Sequence, residues 1–247
     1  MVPPLARLPA VMACAALVLA PQARAAPGCA TDAMLVFDGS ASMSEIGFDS
    51  AEATRIEEAR LAVARALPDI APLRRVGLVI YGPGGADSCG GVDLRFGPVA
   101  DAAGRIIAEV DALRPGGLTP LAASVRVAAE ALSYRSEPGV VVLVTDGNET
   151  CGGRPCALGT ELAAVAPGLV VHVIGFRVRV DFWTWDNPEQ KAYSARDSVA
   201  KCLADRTGGL FVTTETVDEL VEALRETLGC PLIGRVSPGG GAGAARG

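Results

Sequence analysis

Four strongly apolar runs constrain this chain most: 33–37, 76–81, 140–144 and 169–176, the last interrupted only by His172. A strand with one wet face alternates apolar and polar residues, whereas these runs do not, so they read as strands buried on both faces. Helical patterns fall between them. Residues 55–67 place Ile56, Ala59, Val63 and Leu67 on one face, with Pro68 as the expected stop. Further helices are predicted over 101–113, 120–132, 155–165 and 197–206, and a last one opens at the Thr216-x-x-Glu219 capping box. Residues 92–96 alternate as a short edge strand does, and 210–213 read as a final strand. This alternation predicts an α/β fold, a doubly wound, mostly parallel sheet with helices on both faces and one short antiparallel edge strand. Residues 43–54 read as a polar loop, and no glycine-rich phosphate fingerprint occurs.

The first apolar run ends in Asp38-Gly39-Ser40-Ala41-Ser42, which sets a carboxylate and two hydroxyls two residues apart on one turn. Thr119 precedes a helical run and Asp146 follows the 140–144 strand. In open α/β sheets ligands bind outside the carboxyl ends of the strands. Three loops therefore deliver Asp38, Ser40, Ser42, Thr119 and Asp146 to one edge. Taken singly, each is an ordinary turn or capping residue. Taken together they are five oxygen donors with no soft ligand, a set suited to Mg2+ or Mn2+ rather than zinc. Ser40 and Ser42 are expected to bind the ion directly, Asp38 and Asp146 through water, and Thr119 directly or as a switchable ligand.

The stretch Val36-Phe37-Asp38-Gly39-Ser40-Ala41-Ser42-Met43 resembles the metal-ion-dependent adhesion site of a von Willebrand factor type A domain. Gly117-Leu118-Thr119-Pro120-Leu121 is similar to that family's threonine loop, and Val144-Thr145-Asp146-Gly147 to its second aspartate loop. Residues 150–156, 201–204 and 207–209 look like a bacterial secreted branch of the family. The likeness covers about residues 30–230. It implies a Rossmann-like sheet with a divalent cation at its top, and binding rather than catalysis. The partner would be a protein presenting Asp or Glu to the open metal position. Two alternatives remain: a metal-stabilised assembly subunit without ligand exchange, and a metal-assisted hydrolase built on Asp38 and Asp146. The 43–54 loop and the 182–193 segment depart from the family pattern.

Residues 1–25 read as a signal peptide, with an apolar core from Val11 to Ala20 and a small-x-small site at Ala23-Arg24-Ala25. The domain is expected over 26–234, followed by a disordered glycine-rich tail at 235–247. Loss of Arg7 and Arg24 leaves 20 basic against 28 acidic residues, and with no basic cluster, nucleic acid and anionic membranes are poor partners. Six of the 7 cysteines lie beyond the leader: Cys29, Cys89, Cys151, Cys156, Cys202 and Cys230. An even set behind a signal peptide predicts disulfides and a secreted or periplasmic location. The spacings alone do not choose the pairing. In a fold of the resembled type the chain ends approach each other, which favours Cys29–Cys230, and Cys89–Cys151 with Cys156–Cys202 are the expected loop bridges.

Trp183 and Trp185 share a stretch with no period that would bury both, and are expected to form a partner-binding lip beside the metal. His172, the only histidine, lies between valines and reads as a core residue rather than a catalyst. Asn148-Glu149-Thr150 matches a glycosylation sequon, which would matter only in a eukaryotic host, where a glycan would crowd the metal.

Overall fold

A computed structural model describes residues 30–46, 53–84, 88–166, 168–178, 187–190 and 198–230. The expected leader, the glycine-rich tail, Cys29 of the terminal clamp, and Trp183 and Trp185 lie outside these residues.

The apolar runs become strands β1 (Ala33–Asp38), β2 (Val76–Tyr81), β4 (Gly139–Thr145) and β5 (Leu169–Phe176), joined by β3 (Asp93–Val99) and β6 (Phe211–Thr214). They form one six-stranded sheet in the order β3-β2-β1-β4-β5-β6. All neighbours are parallel except β2 and β3. The antiparallel β3 is the expected edge strand, though it runs on through Gly97 and Pro98, with register irregularities opposite Val76–Val79. An edge strand tolerates Pro98 because its missing donor need not serve a second neighbour.

Helices α1 (Arg55–Ile70), α2 (Ala103–Ala112) and α6 (Val217–Thr227) cover one sheet face. Helices α3 (Leu121–Ala131), α4 (Pro155–Val165) and α5 (Lys201–Thr207) cover the other. Strand β1 shows why both faces must be apolar. Ala33, Leu35 and Phe37 enter the first core, while Met34 and Val36 enter the second.

Helix α1 corrects one expectation: it continues through Pro68 to Ile70. Proline cannot bond to the carbonyl one turn back, but Pro68 sits on the exposed side, where water reaches that carbonyl, and the buried Ile70 holds the last turn to the core. The polar loop expected from Met43 needs a second correction. Residues Ala41–Ser44 form a 3-10 turn that drives Met43 into the core at 0 % exposure, and Ile46 bridges Thr54. His172 is half-buried in β5, and its Nδ1 accepts a hydrogen bond from the Leu210 N–H at 3.0 Å. Burial, helped by the charge of Arg74, lowers its pKa to about 4, so it stays neutral at physiological pH. Helix α6 opens on the predicted capping box, with the Thr216 hydroxyl accepting from the Glu219 N–H.

Candidate metal centre

The sheet order reverses direction between β1 and β4, so the two strands that carry the aspartates lie side by side. Phe37 is opposite Val144 in the parallel register, which brings Asp38 and Asp146 together at the carboxyl ends of both. This is the switch point at which open α/β sheets place their ligands.

Asp38 is 0 % exposed, and its carboxylate organises the turn around it. Its Oδ1 accepts from the Ser40 N–H at 2.8 Å, and its Oδ2 from the Thr145 hydroxyl at 2.9 Å and the Asp146 N–H at 3.3 Å. The Ser40 and Ser42 hydroxyls lie 3.0 Å apart, and Ser42 Oγ donates to Asp146 Oδ1 at 2.8 Å. Ser40, Ser42, Thr119 and Asp146 line one cavity of about 160 Å3. Asp38 lies beneath that lining and reaches it through its hydrogen-bonded neighbours.

The loop that carries Thr119 is held from two sides. The Thr119 N–H donates to Thr150 Oγ1 at 2.8 Å, and the Thr150 N–H to the Thr119 carbonyl at 3.1 Å. The Leu118 N–H donates to the Ser88 carbonyl at 3.1 Å, and the Cys89–Cys151 disulfide staples the loop after β2 to the loop after β4. Cys156–Cys202 joins α4 to α5. Both are the pairings the sequence favoured. Gly117 has φ +70°, and a Cβ there would lie 1.9 Å from the Gly82 carbonyl oxygen. Only glycine lets these two loops approach so closely.

Three residues matter here in ways the sequence reading missed. Arg55, the first residue of α1, is 2 % exposed. Its Nη1 donates to Asp146 Oδ2 at 2.9 Å, the Ser42 carbonyl at 3.0 Å and Glu45 Oε2 at 3.2 Å. The available signal was an arginine four residues before Ala59 on a helical face that is otherwise apolar. Glu149 accepts from the Ala122 N–H at 2.9 Å and the Cys151 N–H at 2.8 Å. It therefore supplies the carboxylate for the start of α3, which has no side-chain cap of its own. Burial raises its pKa, opposed by these backbone N–H groups. Asn148 is 2 % exposed and its Oδ1 accepts from the Val199 N–H at 3.2 Å, so the sequon asparagine is a buried structural residue, not a glycan acceptor.

Electrostatically the site is short of positive charge. Burial, reinforced by the Asp38 charge, pushes the Asp146 carboxyl up to about 7, although the Ser42 hydroxyl and Arg55 pull it down. Two buried carboxylates with hydroxyl neighbours are the chemistry of a hard divalent cation, whose charge would relieve that repulsion. Among the described residues no cluster of three or more His, Cys, Asp or Glu side chains could hold a metal. An ion at this site would thus depend on hydroxyl and water oxygens as well as the two aspartates.

Comparison with known proteins agrees with this fold. A family model described as the von Willebrand factor type A domain matches residues 33–149, from the start of β1 to just past Asp146. Over residues 33–149 the chain matches the von Willebrand factor type A domain, and its sheet has that fold. Solved structures with this fold include the SpRpn10 von Willebrand type A domain, at TM-score 0.58 and 14 % identity, covering 83 % of this chain and 100 % of that one. The pilus adhesin SpaC from Lactobacillus rhamnosus GG aligns at TM-score 0.57 and 16 % identity, over 81 % of this chain and 30 % of the adhesin. At these identities the likeness concerns the fold alone. The uncharacterized protein YwmD of Bacillus subtilis (strain 168) is 34 % identical over 114 residues, 45 % of this chain and 44 % of YwmD. The chain spans less than half the length of the curated relatives it matches. The two disulfides among the described residues, Cys89–Cys151 and Cys156–Cys202, suit an oxidising compartment. Among the described residues no helix is long and apolar enough to cross a membrane.

Proposed function

We propose that this von Willebrand type A domain is a secreted or periplasmic binding module rather than an enzyme. It would hold Mg2+ or Mn2+ at its switch-point edge and through that ion engage an Asp or Glu of a protein partner. The observation that carries the reading is the convergence of Ser40, Ser42, Thr119 and Asp146 from three loops on one small cavity, with Asp38 hydrogen-bonded beneath it. Ser40, Ser42 and Thr119 would offer hydroxyl oxygens directly. Asp146 would offer Oδ1 once Ser42 turns its proton away, and Asp38 would act from below through hydrogen bonds. The ion would supply positive charge at the cavity mouth, where a coordination position is left for an outside carboxylate. A disulfide-pinned frame supports such a role because the donors are held in place before the ion arrives. The adhesin among the structural neighbours is in keeping with a binding function.

The experiment is thermal unfolding with and without Mg2+. A ligand that binds only the folded state, at about 100 times its dissociation constant, adds about 3 kcal/mol of stability. Mg2+ is expected to raise the midpoint by several degrees, EDTA to reverse the rise, and Ser42→Ala to lose most of it. Equal Mg2+ shifts in the wild type and Ser42→Ala would remove the Ser42 hydroxyl from the site.

A further inference from the structure

Arg55 is a buried cation set against a candidate metal ligand, a costly arrangement for a site that would otherwise attract its ion with the charges of two carboxylates. The geometry divides Asp146 between two partners. Arg55 Nη1 holds Oδ2 at 2.9 Å, while Oδ1 faces the Ser40 and Ser42 hydroxyls through Ser42 Oγ at 2.8 Å. The same nitrogen bonds the Ser42 carbonyl at 3.0 Å, so one guanidinium fixes both the carboxylate and the turn that carries the hydroxyls. Arg55 is tied in turn to the segment it follows, because its N–H donates to the Glu45 carbonyl at 3.0 Å.

The charge balance follows from these contacts. Asp38 and Asp146 bring two negative charges and Arg55 returns one positive charge within hydrogen-bond reach of Asp146. Glu45 also pairs with Arg55, at 3.2 Å, but its side chain is 59 % exposed and its charge is screened by water. A divalent ion among these groups would carry a surplus positive charge that the protein's own ligands do not cancel. Without Arg55 the two aspartates would neutralise the ion.

We propose that Arg55 is a positioning residue that keeps the bound metal under-neutralised, so that the site requires an anionic carboxylate from outside to complete its charge. The inference rests on the metal-binding reading and adds the reason a partner's carboxylate is held. It also separates two affinities that a purely structural role would move together. Loss of the Arg55 charge strengthens or preserves metal binding, because cation–cation repulsion is removed, and weakens carboxylate binding to the loaded site.

The test uses the mature protein with disulfides intact, as wild type, Arg55→Gln and Arg55→Lys. Arg55→Met serves as a second neutral variant should Arg55→Gln fail to give a cooperative thermal transition. Mn2+ uptake is read by water-proton relaxation, and acetate is then titrated onto the Mn2+-loaded protein. The expected result is Mn2+ affinity equal to or tighter than wild type in the neutral variant. Its acetate affinity is expected to be about tenfold weaker, the scale of one unit charge a few Å away in a partly solvated site. Arg55→Lys is expected to recover most of the acetate binding. Acetate affinity unchanged in the neutral variant overturns the proposal. So does a parallel loss of Mn2+ and acetate affinity, which would make Arg55 a structural brace. No Mn2+ uptake by the wild type would instead overturn the metal-site reading itself.

Discussion

Replacing Cys89 and Cys151 together by serine is expected to remove about 4 kcal/mol of stability, as the chain-entropy relation gives for closing a loop of this size. The bridge spans 62 residues. It joins the loop after β2 to the loop after β4, and the two meet nowhere near each other in sequence. The double change avoids a free thiol that could re-pair with Cys156 or Cys202. Loss of the staple also reaches the site. Cys151 donates its N–H to Glu149, Glu149 holds the start of α3, and Thr150 holds Thr119. Without the bridge these bonds stand alone, so Mg2+ affinity is expected to fall along with stability. Denaturant unfolding checks the first part. A loss below about 1 kcal/mol would mean that the surrounding hydrogen bonds already fix the loops.

Asp146 gives the second large effect, in the pH dependence of the metal-free protein. Its pKa rises from 3.8 to about 7 on folding, so the folded state holds a proton more tightly than the unfolded chain. That preference stabilises fully below the unfolded pKa, diminishes as pH rises, and is gone above about 7. Between pH 5 and pH 8 the expected loss from this group is about 3 kcal/mol. Asp146→Asn cannot titrate there and isolates the contribution by difference. Saturating Mg2+ is expected to cancel the loss, because the ion favours the ionised carboxylate, and its stabilising effect should therefore grow with pH. Urea unfolding at pH 5 and pH 8, with EDTA and with Mg2+, reads all of this. Equal wild-type and Asp146→Asn profiles in EDTA would show that Asp146 ionises without difficulty in the fold.

What could be read in advance was local. The apolar runs named the central strands because residues buried on both sheet faces leave no polar alternation. Asp38, Ser40 and Ser42 were legible as one turn, and Thr119 and Asp146 by their places beside a helix and a strand. Arg55 was not, because its role comes from Asp146, 91 residues away, and an arginine at a helix start looks like a surface residue. Glu149 was hidden for the same reason: the helix start it serves lies 27 residues earlier. Pro68 misled because a local stop signal was outweighed by the burial of Ile70. Met43 was assigned to a polar loop because its burial depends on the 3-10 turn above it, which nothing in the local pattern announces.

Isothermal titration of the mature domain with Mg2+ and Mn2+, beside Asp38→Ala, tests the central claim most directly. The wild type is expected to bind one ion, and Asp38→Ala to bind none while keeping a cooperative thermal transition. Wild-type protein that takes up neither ion would contradict the account and leave Asp38, Ser40 and Ser42 as the hydrogen-bonded turn of a disulfide-braced scaffold.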